Sequence, residues 1–119
     1  MNSFKNVFFL FCLATLVSFS ASATAISGAI YNIDSGILYL QVDFNGGLKA
    51  HEFSLEWDSC QIIDGQKQIS ARLLDTGWDD TGHEEISQLI NFDLSNLECK
   101  PALLTVRSGK HSHITIEIQ

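Results

Sequence analysis

The chain has 119 residues, 45% of them hydrophobic and 18% charged, with 7 Lys and Arg against 14 Asp and Glu for a net charge of −7. So short a chain carries one modest core and no second domain. Its acidity repels phosphate backbones and anionic lipid surfaces, which argues against nucleic acid as a partner.

The first 25 residues have the three regions of a secretory signal peptide in order. Met1 to Asn6 carries one positive charge, Lys5, and no acid. Val7 to Val17 is an apolar run of about 11 residues, within the range of a signal core and too short to cross a bilayer. Small residues follow, and two cleavage frames fit: Ala21-Ser22-Ala23, cut after residue 23, or Ala23-Thr24-Ala25, cut after residue 25. Phe11 before Cys12 does not fit a lipidation site, which calls for a small residue there. Residues 26–119 are then expected to form a single β domain, secreted or periplasmic, without membrane insertion once the leader is gone. Loss of Lys5 takes the net charge to −8.

The mature part reads repeatedly with a period of two. Ile26 to Ile33 is a first strand, ended by Asp34-Ser35-Gly36. Ile37 to Phe44 puts Leu38, Leu40, Val42 and Phe44 on one face, and Asn45-Gly46-Gly47 supplies a turn. From His51, the residues Phe53, Leu55 and Trp57 alternate with Glu52, Ser54 and Glu56. Lys67 to Asp75 turns Ile69, Ala71 and Leu73 inward. A polar loop, Thr76 to Glu85, precedes Ile86 to Leu94, where Gln88 interrupts the apolar phase. Leu103 to Arg107 and Ser112 to Ile118 flank Ser108-Gly109-Lys110-His111 as a hairpin, and Pro101 stands before it, where it breaks no ladder. About seven short strands with one apolar face each predict antiparallel sheets wetted on one side. The expected fold is an all-β, two-sheet antiparallel sandwich, immunoglobulin-like, with a small partly open β-barrel as the alternative.

Cys12 leaves with the leader, so Cys60 and Cys99 remain. Two cysteines in an exported domain of this size are expected to pair as a disulfide, since the compartment is oxidising and no CxxC or neighbouring histidine suggests a metal or a catalytic thiol.

Gly46-Gly47-Leu48-Lys49-Ala50-His51-Glu52-Phe53, followed by Gln68 opening a strand and by Phe92-Asp93-Leu94-Ser95, resembles a group of small exported bacterial proteins. These share a Gly-Gly-x-Lys-x-His-x-Phe stretch and a later Phe-Asp-Leu-Ser turn, and often carry a cysteine where Leu48 stands. The resemblance implies export and a β fold. It carries no activity.

Candidate chemistry is sparse. His111 and His113 lie two apart on a strand and leave the same face, a spacing that can chelate Zn²⁺ or Cu²⁺ with Glu117 or another strand completing the shell. The ordinary reading is a solvated polar face. The loop carrying Trp78, Asp79, Asp80, His83, Glu84 and Glu85 has oxygen donors, but not in the order of an EF-hand. Trp78, with Asp79, Asp80 and His83 beside it, is the candidate contact surface, because loops on a rigid sandwich often carry recognition. The competing expectation is that Trp78 folds back over the core. His51 reads as a strand-entry histidine bonded to backbone near Gly46-Gly47, and Lys49 as a surface partner for Glu52. No nucleophile elbow, His-Glu-x-x-His pair, phosphate loop or dinucleotide fingerprint is present.

The sequence therefore points to a non-catalytic exported binding module recognising a protein or glycan partner through loops or an edge strand, with no cofactor. Two alternatives stand beside it: a periplasmic Zn or Cu protein using His111 and His113, helped by His51 or His83, and an inhibitor of a secreted hydrolase.

Overall fold

A computed structural model describes residues 24–109 and 111–119. The expected leader lies outside the described residues.

Eight strands form: β1 (Ala25–Asn32), β2 (Ile37–Gly46), β3 (Phe53–Trp57), β4 (Gln61–Ile63), β5 (Gln66–Asp75), β6 (Glu84–Asp93), β7 (Ala102–Ser108) and β8 (Ser112–Ile118). They make two sheets, one in the order β1-β2-β6 and one in the order β3-β5-β7-β8, with β4 added to β5. Neither closes into a barrel, so the all-β two-sheet sandwich is the architecture and the barrel alternative is not.

The alternation sets the core. Leu38, Leu40, Val42 and Phe44 of β2 face Ile69, Ala71 and Leu73 of β5 and Leu104 and Val106 of β7, all buried. Each apolar side chain removed from water contributes roughly 1.5–3 kcal/mol. The central strands β2, β5 and β7 therefore carry most of the driving force.

Two features depart from expectation. The strand β4 falls where no strand is expected: it is three residues long and turns through Asp64-Gly65, both at positive φ (54° and 80°), into β5. An Asp-Gly pair with that backbone is the two-residue hairpin turn whose twist matches the strands. β3 and β4 thus lie end to end along the same edge of β5. The expected antiparallel order also fails at one pair, because β5 and β7 run parallel from Gln68 opposite Leu103 to Arg72 opposite Arg107. The chain leaves β5, crosses to the other sheet as β6, and returns, so no helix is needed to make the crossover.

Cys60 and Cys99 form a disulfide, Cα to Cα 5.9 Å. It joins the segment between β3 and β4 to the segment ahead of β7.

Candidate functional site

At one end of the sandwich, two loops are tied together from inside. His51 lies just before β3, and its imidazole sits between two carboxylates. Nδ1–H donates to Asp75 at 2.8 Å, and Nε2–H donates to Asp80 at 2.9 Å. The three side chains are 6, 9 and 0% exposed. With both ring nitrogens donating, the ring carries a proton on each and is a cation between two anions. The Phe44 ring packs against it, centroids 4.5 Å apart, a placement that favours the charged form.

Each carboxylate is satisfied by the backbone as well. Asp75 accepts from the Gly77 amide at 2.8 Å and from the Thr24 hydroxyl at 3.3 Å. Asp80 accepts from the Gly82 amide at 2.8 Å, and across the gap from Lys49 at 3.0 Å and Leu48 at 3.3 Å. Asp75-Thr76-Gly77 and Asp80-Thr81-Gly82 are two copies of one device, an Asp whose side chain accepts the amide two residues on. Glycine is required in both. A Cβ on Gly77 would come within 2.6 Å of the His51 ring, and one on Gly82 would collide with the Gly46 carbonyl. Lys49 adds an ion pair with Asp79 at 2.7 Å on the surface, which contributes little by itself.

The electrostatics follow from this geometry. Burial works against the charged imidazole, but its bonds to Asp80 and Asp75 outweigh burial and raise the His51 pKa above its ordinary 6.5. The His51 hydrogen bond draws the Asp80 pKa down from 3.8 to about 2, against the opposing effect of burial. A depressed carboxylate stabilises the fold above its unfolded pKa and loses that contribution as pH falls toward about 2. A raised histidine stabilises it below about 6.5 and loses that contribution as pH rises through the folded value. Melting temperature followed by circular dichroism is therefore expected to be highest between about pH 4 and 6.5. Other depressed carboxylates, Asp79 and Asp93, add to the acid limb, so the alkaline limb is the diagnostic one. It is expected to vanish in His51→Gln; its persistence would show that His51 is not the group responsible.

Of the residues singled out in the sequence, Trp78 projects to solvent, 61% exposed, rather than folding over the core. Asp79 flanks it at the surface. Asp80 lies inside and offers no side chain to a partner, while His83 is exposed on the following segment. Lys49 pairs with Asp79 and not Glu52, and His51 bonds carboxylates where backbone was expected. The residues that sequence reasoning missed are thus Asp75 and the internal roles of His51 and Asp80; the repeated Asp-Thr-Gly was the signal that held them. Leu48 was missed as well. It is 70% exposed and adjoins the same ion pair from the opposite loop.

His111 and His113 are both exposed, and His113 stands opposite Arg107 in the β7–β8 register. The structure does not bring them to His51, whose two nitrogens are occupied. No group of three or more His, Cys, Asp or Glu placed to hold a metal ion occurs among the described residues. No family model, curated protein or solved structure matches this chain.

Proposed function

We propose that the chain is an exported, non-catalytic binding module whose contact surface is the loop pair bearing Leu48 and Trp78. The observation that carries this reading is the buried Asp75–His51–Asp80 clamp. It fixes two loops to one another and leaves an aromatic and an aliphatic side chain outside. Ordering a loop before it binds removes part of the entropy cost of association, and an exposed Trp held on such a loop is a residue type enriched in interaction hot spots. A protein partner suits the pair better than a glycan, because an exposed leucine gives sugar hydroxyls nothing to bond. The disulfide agrees with an oxidising compartment.

The test is recovery of partners from periplasm or culture medium on the immobilised protein, identified by mass spectrometry. Trp78→Ala and Leu48→Ala are each expected to weaken a recovered protein interaction by about tenfold or more, a loss of at least ~1.4 kcal/mol, with the melting temperature unchanged. Interactions that survive both substitutions would place the contact surface elsewhere.

A further inference from the structure

The clamp leaves one charge unbalanced. Its two carboxylates, Asp75 and Asp80, share a single imidazolium, and all three groups are nearly inaccessible to water. Buried charges ordinarily come paired. Lys49 is held by Asp79 and Arg72 by Glu56, so among the described residues His51 alone forms an ion pair with Asp75 or Asp80.

Thr24, the residue after the first of the two cleavage frames, stands where a second cation would serve. It is 5% exposed, and its hydroxyl donates to Asp75 at 3.3 Å. Its nitrogen is three bonds from that hydroxyl oxygen and therefore within about 7 Å of the carboxylate. In a peptide bond this nitrogen is neutral. As a free amine it is an ammonium, with Asp75 as its counter-charge.

We infer that the leader is cut between Ala23 and Thr24, and that the α-ammonium released there pairs with Asp75 and completes the clamp. The inference rests on the export reading. Hydrolysis by the leader-removing protease breaks the Ala23–Thr24 amide bond. The oxygen of water goes to the Ala23 carbonyl carbon and its two protons to the Thr24 nitrogen, leaving a carboxylate and an ammonium.

The frame ending at Ala25 suits the fold poorly whenever the protease acts. A cut there before folding removes Thr24 and its bond to Asp75. It also turns the Ile26 amide, which donates to Ser112 Oγ at 2.8 Å, into an ammonium facing a neutral hydroxyl. After folding, the Ala25–Ile26 bond lies inside β1, with Ala25 opposite Asp43 and Ile26 opposite Val42. A paired strand does not present the extended free chain that a protease needs.

Intact-mass measurement of the protein recovered after export is expected to show a chain beginning at Thr24. Ala21→Leu spoils the first frame without touching the mature residues. Its product is expected to begin at Ile26 and to melt about 4 °C or more below the parent product. Glyoxylate transamination isolates the ammonium, because it turns the α-amine into a ketone and spares lysines. It is expected to lower the melting temperature of the Thr24 product by about 4 °C or more and to leave that of the Ile26 product unchanged. A parent product beginning at Ile26 overturns the inference while leaving export standing, as does a Thr24 product whose melting temperature transamination does not move. Recovery of the uncut chain alone overturns the export reading together with the inference.

Discussion

Replacing His51 with alanine is expected to destabilise the fold by about 3–5 kcal/mol, the usual cost of removing one partner from a buried ionic arrangement. The cause is what the substitution leaves behind. Asp75 and Asp80 remain nearly inaccessible to water, and the cation between them is gone. Their backbone donors persist, from Gly77, Gly82, Leu48 and Lys49, and keep the loss from being larger. For a domain of this size each kcal/mol moves the midpoint by roughly 4–8 °C, so a fall of about 12 °C or more is expected by calorimetry. His51→Gln keeps the volume and some donor capacity, and is expected to fall between the two. Amide exchange separates a local from a global effect. Leu48 and Lys49 donate to Asp80 across the gap, so their amides are expected to exchange faster in His51→Ala than the change in global stability explains. A stability equal to the parent's would show that the ring is neutral in the fold and that the charge assignment is wrong.

Much of the fold was legible because burial imposes a period of two on every long strand. Leu38, Leu40, Val42 and Phe44 can face one core only if β2 is extended, and the same holds for Ile69, Ala71 and Leu73. What escaped lacks that signal. Three residues of β4 are too few to show alternation, and its Ile62 and Ile63 are both exposed; only Asp64-Gly65 marks it. The parallel pairing of β5 and β7 is a property of the crossover and leaves no trace in either strand. In the candidate site the exposure of Trp78, the proposed contact residue, was readable from composition, a large aromatic in a polar loop. The clamp was not, because His51 and Asp75 are 24 residues apart and each has an ordinary local explanation. A buried charge is recognised only when its partner is in place.

Substituting both Cys60 and Cys99 by alanine is expected to remove about 4 kcal/mol, the chain-entropy value for a cross-link with a sequence separation of 39. Urea unfolding of the oxidised parent against the double variant measures it. The local consequence is as specific as the global one. The three residues of β4 are held by one short ladder to β5, and the disulfide is the nearby covalent anchor. Amides of Gln61 to Ile63 are therefore expected to lose protection first, with β2 and β7 following only the global change. The clamp is expected to be indifferent: β4 pairs with β5 at Gln66 to Gln68, whereas His51 bonds Asp75 at the other end of that strand, roughly 23 Å away at 3.3 Å per residue. Sites so far apart, sharing no partner, add. Combining His51→Ala with the loss of the disulfide would then remove about 7–9 kcal/mol from a domain whose whole stability is of the order of 5–15 kcal/mol. The combined variant is expected to be largely unfolded at 37 °C while each parent variant still folds. A combined loss well below the sum would mean that the clamp and the disulfide stabilise one unit, and that the two ends of β5 are coupled.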